Sequence, residues 1–357
     1  MKKIIAVVIL TAFLILLQTS NTNTEVKHKD VKEEINSIKQ NFYLPTNAVV
    51  PKTKSITISF LGDCILGSYN GETSPSSISY YTKTKPATYF FEKCMPYIGT
   101  DDFTVANSEN VFTDSNLQGQ DKGYTPAYWF RNKSKYAGIY KANSIDTVVL
   151  ENNHLYDYGL QGYKDTVSAF DKADTRWGDV NHPVILEKDG VKIAILNVMF
   201  GEWGSLTKTI NQLNELKDKV NAKVVFFHSG EEFIHYPEQW KINHCHTLVD
   251  NGADLVIGAH PHVIQPFEVY KSKHILYSLG SLCFGSSPFP ENRTLIYQER
   301  FTFDENNNLI NQQEFIIPYY VHSGKRNNYQ PCPINDEKAR MNVLDFMYQR
   351  TKKLLTD

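Results

Sequence analysis

The sequence predicts an α/β protein, and two observations carry that expectation. From Ser55 onward, short apolar and β-branched runs alternate with longer amphipathic ones, the pattern of strands separated by helices. Five of the short runs also end in polar residues, and open α/β sheets build their sites just past the carboxyl ends of strands. The strands expected in order are 56–61, 103–106, 147–150, 191–198, 223–227, 255–257 and 274–278. Helices fit 88–95, 133–141, 160–173, 205–220 and 237–251. A strand-like return near 314–321 and a terminal helix over 336–355 complete the pattern.

The chain opens Met1-Lys2-Lys3, runs apolar from Ile4 to Leu17 and turns polar at Gln18-Thr19-Ser20-Asn21. This reads as an export segment over residues 1–20, a cleaved signal peptide or an uncleaved anchor. The apolar run is shorter than the roughly 20 residues that span a bilayer, and neither an A-x-A site nor a lipobox cysteine follows it. Residues 21–54 are polar, with a helix expected over 29–40 and prolines at Pro45 and Pro51, and read as a stalk. The expected location is therefore extracytoplasmic, anchored at the outer face of the cell membrane or secreted. The body of the protein falls over 55–304, with 305–357 adding a strand and a helix that cap the same domain.

Charge narrows the partners. There are 37 basic against 39 acidic residues and no basic stripe, which argues against nucleic acid. The five cysteines are widely spaced and form no C-x-x-C, so neither a disulfide framework nor a thiolate zinc site is expected.

The strand ends carry the chemistry. They read Gly62-Asp63, Asn107-Ser108-Glu109, Asn152-Asn153-His154 with Asp157, His228-Ser229-Gly230, and Gly258-Ala259-His260-Pro261-His262. Carboxylate, amide oxygen and imidazole together suit Mn, Fe or Zn. His260 and His262, two apart at a strand end with Pro261 fixing the turn, can point toward one centre. A metal there would polarise a phosphoryl or carbonyl oxygen, or lower the pKa of a bound water. His154, oriented by Asp157, is the candidate to protonate a leaving group.

These segments, with Gly62-Asp63-Cys64-Ile65-Leu66-Gly67, Ala106-Asn107-Ser108-Glu109, His154-Leu155-Tyr156-Asp157-Tyr158-Gly159 and Tyr277-Ser278-Leu279-Gly280, resemble in order and spacing the capsule-synthesis CapA family. The resemblance covers roughly 56–285. It implies a four-layer α/β/β/α sandwich of the calcineurin-like metallophosphoesterase type and a role in making poly-γ-glutamate capsule outside the cell membrane. Carried over residue by residue, it makes Asp63, Glu109, Asn153, His228, His260 and His262 the metal shell, for one or two ions, and places His154 where metallophosphoesterases keep their general acid. The wider superfold has aspartate-x-histidine where this chain has Asp63-Cys64-Ile65, so one histidine ligand is missing. Ser229, Ser281 and Glu151 depart from the narrower family at the rim. The implied partners are a polyanionic polymer, the membrane subunits of a polymer synthase, and the membrane itself through the N-terminal segment. Hydrolysis of a phosphoester or amide, accessory binding without catalysis, and a secreted phosphodiesterase all remain open.

Other features read as structural. His244 and His246 fall on different faces of the helix expected over 237–251 and belong to surface or packing. Glu232 is preferred over Glu231 as the carboxylate facing the site. Cys64 reads as a buried thiol. Tyr124, Tyr128, Trp129 and Phe130 read first as packing and second as a wall for a polymer chain.

Overall fold

A computed structural model describes residues 52–201, 204–285 and 292–356. The expected export segment, nearly all of the stalk and its helix at 29–40 lie outside the described residues. Among the described residues, no helix is long and apolar enough to cross a membrane.

The chain builds one sheet, then a second, then returns to the first. Strands β1 (Lys54–Cys64), β2 (Phe103–Ser108), β3 (Thr147–Val149) and β4 (Arg176–Gly178) lie side by side and parallel. Next come β5 (Val184–Lys188), β6 (Val191–Val198), β7 (Ala222–His228), β8 (Leu255–Ala259), β9 (Phe267–Tyr270) and β10 (Lys273–Leu276), in spatial order β9-β10-β8-β7-β6-β5. Finally β11 (Ser281–Cys283) pairs with the end of β1, while β12 (Arg293–Phe303), β13 (Leu309–Tyr320) and β14 (Cys332–Pro333) extend the first sheet beyond β1. The main helices are α1 (Gly159–Lys172), α2 (Thr207–Glu215), α3 (Gln239–Asp250) and α4 (Glu337–Thr356).

Strand alternation explains the packing. Ile56, Ile58 and Phe60 of β1 point into one cluster with Ile193, Ile195, Val224, Phe226, Leu255 and Ile257 of the second sheet. Leu61, Ala106 and Val148 face the other side of the first sheet, against Ala169 and Phe170 of α1. On the far side of the second sheet, Leu196, Val225, Phe227 and Val256 pack with Leu213 of α2 and Leu248 of α3. A strand such as β7 is thus apolar on both faces, as a parallel strand covered on two sides must be. Each fully buried side chain of this kind contributes about 1.5–3 kcal/mol.

The α/β class and the expected strands are present, with local differences. The helix expected at 88–95 is two 3-10 turns, Ala87–Tyr89 and Glu92–Cys94, because Phe90, Phe91 and Cys94 are all buried and Pro96 restarts the chain as the short helix Met95–Ile98. The helix expected at 133–141 divides into Ser134–Ala137 and Gly138–Lys141. Strand β12 has no counterpart among the expected strands, yet it is the antiparallel neighbour of β1 over most of its length.

Candidate functional site

The first sheet delivers carboxylates and the second delivers imidazoles. Asp63 is the next-to-last residue of β1, at a bulge where the pairing with both β2 and β11 shifts register, a device that re-aims a side chain. Glu109 follows β2, His228 ends β7, and His260 and His262 follow β8. A close backbone crossing sets Asp63 in place: a Cβ on Gly62 would lie 1.9 Å from the Gly280 carbonyl oxygen, so only glycine fits there.

The resulting cluster is buried. Asp63, Glu109, His228, His260 and His262 are all at most 5% exposed, and two overlapping trios, Glu109–His228–His260 and Asp63–Glu109–His262, bring ligand atoms within 4.8 Å of one another. Asp63 Oδ2 accepts from His262 Nδ1 at 3.0 Å and from the His260 backbone N–H at 3.3 Å, while its Oδ1 accepts from Asn107 Nδ2 at 2.7 Å. Asn107 Nδ2 also donates to His228 Nδ1 at 3.1 Å, and His228 Nε2 donates to Asn153 Oδ1 at 2.9 Å. Ser281, opposite Asp63 in register, places its hydroxyl 3.1 Å from His262 Nδ1. His260 and His262 both hold positive φ, 98° and 58°, and a non-glycine residue there costs on the order of 1–3 kcal/mol. The hydrogen bonds that Asp63 accepts hold this strained turn.

Electrostatics separate the groups. Burial works against the Asp63 carboxylate, but the hydrogen bond and charge of His262, with His228 and Asn107, hold it below its ordinary value. Burial, and then the Asp63 charge, push Glu109 well above its ordinary value. For His262, burial is outweighed by Glu109 and Asp63, which raise it to about 9. Burial takes His228 down to about 4 and, with the charges of His228 and His262, takes His260 well below its usual value.

The donor set fits a divalent cation. Both Glu109 oxygens are buried and accept no hydrogen bond within the described residues, and the nearby His228 Nε2 stands 3.3 Å from one of them. An unpartnered buried carboxylate is costly unless a cation completes it. Oxygen and imidazole nitrogen, with no thiolate, suit Mn, Fe or Zn. Cys64 is fully buried and burial pushes its thiol up, so it stays a protonated neighbour.

Beside the centre, His154 Nδ1 donates to Asp157 Oδ2 at 2.8 Å. Asp157 also accepts from the Phe130 backbone at 2.7 Å and pairs with Lys122 Nζ at 2.5 Å. Burial lowers the His154 pKa despite Asp157, and the Lys122 charge adds to the lowering. Both His154 and His262 line a cleft of about 610 Å³ walled by Tyr69, Tyr128, Phe130, Phe233, Phe284 and Tyr329.

All eight residues expected to form the site gather here, with Asn153 reaching it through His228. Glu232, not Glu231, lines the cleft. His244 and His246 are packing residues, stacked on Phe200 and Tyr270. Of the two roles expected of the aromatic stretch, packing first and wall second, Tyr128 and Phe130 take the second. Tyr124 and Tyr128 are 59% and 52% exposed, and Tyr128 and Phe130 form cleft wall, because the strand Phe130–Asn132 joins a small sheet with Ser68–Tyr69 and Val111–Phe112 at the rim. One contributor escapes the sequence pattern: Lys122 is a loop residue with no periodic signal, whereas Asn107 stands in a strand end already singled out and only its bridging role is new.

The capsule biosynthesis protein CapA of Bacillus anthracis is 30% identical over 271 residues, covering 67% of this chain and 63% of that protein. The PGA biosynthesis protein CapA of Bacillus subtilis (strain 168) is 28% identical over 265 residues, 66% of this chain and 67% of its own length. The chain thus spans just under two thirds of the first relative. Among solved structures, a hypothetical protein from Thermus thermophilus aligns with 74% of this chain and 99% of its own at 13% identity and a TM-score of 0.45, too low to add to the architecture described above. The profile of the bacterial capsule synthesis protein family PGA_cap matches residues 57–286, the segment that holds every residue of the centre, and the chain belongs to that family.

Proposed function

We propose that this protein binds a divalent cation at the Asp63–Glu109–His228–His260–His262 cluster and uses that centre on an anionic cell-surface polymer of the poly-γ-glutamate type. The observation that carries the reading is Glu109, a buried carboxylate whose two oxygens accept no hydrogen bond from the described residues, ringed by three imidazoles and a second carboxylate. Asn153, whose side-chain oxygen lies 2.9 Å from His228 Nε2, would add that oxygen to the shell. The cation, Mn, Fe or Zn, as one ion or two, would supply Lewis-acid polarisation of a phosphoryl or carbonyl oxygen. The chain's own residues do the rest: Asp63 orients His262, Asp157 orients His154, and His154 faces the cleft where it can hand a proton to a leaving group.

The N-terminal apolar run supports work outside the cytoplasm, at the outer face of the cell membrane or after release, alongside membrane subunits of a polymer synthase. The names of the matched relatives support the polymer class.

The test is elemental analysis of the full chain purified with manganese or zinc, followed by assay on γ-linked glutamate polymer and on phosphoester substrates. Bound metal with cleavage that disappears in His262→Ala supports a hydrolase. A preparation purified with excess manganese or zinc that retains no metal overturns the reading.

A second reading, an accessory subunit that binds polymer without cutting it, is favoured by Ile65, which lines the cleft where the wider superfold carries a histidine. Capsule output unchanged by His154→Ala would select it.

A further inference from the structure

The small sheet at the rim of the cleft has a second side. Behind it lies a separate cavity of about 430 Å³, lined by Lys83, Arg131, Lys133 and Lys135 and by one carboxylate, Asp114. In a chain with 37 basic and 39 acidic residues, this is a local excess of positive charge. We propose that the cavity is a second binding site, for carboxylates of the same anionic chain that enters the cleft. The proposal rests on the polymer class argued above.

The cationic groups are available. Lys133 and Asp114 stand 3.8 Å apart with side chains 62% and 64% exposed, a pair of little energetic weight. Lys83 and Lys135 have no carboxylate partner among the described residues. Arg131 is held by hydrogen bonds from Nε to the Asn70 carbonyl and from Nη1 to the Leu117 carbonyl, and its guanidinium lies over the Tyr158 ring at 5.0 Å. That fixes its plane and leaves its other N–H groups for a ligand, and a planar fork is the donor that matches a carboxylate. The carboxylate of Asp165, beside the cavity, is taken up by Thr113, Ser115 and Gln161.

Continuity with the cleft makes one long ligand the natural occupant. Phe130 lines the cleft and the next residue, Arg131, lines the cavity. Along residues 68–73, which begin with the rim strand Ser68–Tyr69, Ser68, Tyr69 and Glu72 line the cleft while Gly71 and Thr73 line the cavity. The small sheet is the partition, and a polymer with a carboxylate on every unit can lie across it with a cation array on one side and the metal-type centre on the other.

The experiment measures binding of a fluorescently labelled γ-linked glutamate oligomer to the full chain by anisotropy at low and physiological salt. Lys83→Glu with Lys135→Glu is the principal variant, since both side chains are exposed and neither is part of the centre. Lys83→Gln with Lys135→Gln is the milder second variant, and unchanged melting midpoints show that both fold. The expected result is a loss of at least about tenfold in affinity for the charge-reversed pair and a smaller loss for the neutral pair, with binding that weakens as salt rises and bound metal unchanged. Wild-type affinity in both variants, or equal binding of an uncharged γ-linked glutamine oligomer, overturns this site while leaving the proposed function standing. Failure of the wild-type chain to bind the glutamate oligomer overturns both. If the variants instead lose binding only to phosphatidylglycerol vesicles, the cavity is a membrane contact and the proposal fails.

Discussion

Asp63 and His262 meet at 3.0 Å across the junction of the two sheets, and the same carboxylate oxygen accepts the His260 N–H. One side chain thus holds the turn that carries two of the three imidazoles.

Asp63→Asn therefore loses more than a ligand. The metal retained after purification should fall, with affinity lower by at least about tenfold to a hundredfold. Calorimetry should show that added manganese or zinc raises the melting midpoint of the wild type and not of the variant, because a ligand stabilises only the state that binds it. An equal metal-induced rise in both proteins would remove Asp63 from the centre.

His154→Ala separates binding from proton transfer. Metal content should match the wild type, while any hydrolysis should fall by about 10²–10⁴-fold, the contribution of one positioned acid. Initial rates at matched metal occupancy check this.

Gly62→Ala would place a methyl group 1.9 Å from the Gly280 oxygen, between β1 and the strand that carries Ser281. The expected cost is about 1–3 kcal/mol, read from the denaturation midpoint in urea, with reduced metal retention because Asp63 is the next residue.

At the far edge of the sandwich, His274 of β10 donates to Glu299 of β12 at 3.0 Å, with Glu314 of β13 at 3.7 Å. Burial lowers this imidazole's pKa, but the Glu299 hydrogen bond and charge, with Glu314, outweigh burial and raise it above its ordinary value. The folded state then binds the proton more tightly than the unfolded one. The stabilisation is complete below the unfolded value of about 6.5 and is lost as pH rises through the higher folded value. Urea denaturation across that range should show falling stability in the wild type and a flatter profile in Glu299→Gln.

The centre was legible because each ligand type follows a run of β-branched and apolar residues: Val224 to Phe227 announces His228, and Leu255 to Ile257 announces His260. Parallel strands covered on both faces make such runs unmistakable. The small rim sheet was not legible, since strands as short as Ser68–Tyr69 contain no period to read. Tyr128 therefore reads from sequence as packing before wall, and the fold makes it cleft wall. β12 escaped because its buried residues, among them Thr294 and Glu299, include polar ones that find partners within the fold, which blurs the apolar run. Lys122 carries no local signal, and only the fold brings it to Asp157.

The division of the centre between two sheets also orders its birth. Asp63 and its partner Asn107 are made early, but the imidazoles arrive only with His228, His260 and His262, and β1 gains its antiparallel neighbour only when residues 293–303 have emerged. Contacts this distant along the chain form slowly. Completion of the centre therefore waits on contacts such as that between Asp63 and the His260 N–H, 197 residues apart along the chain.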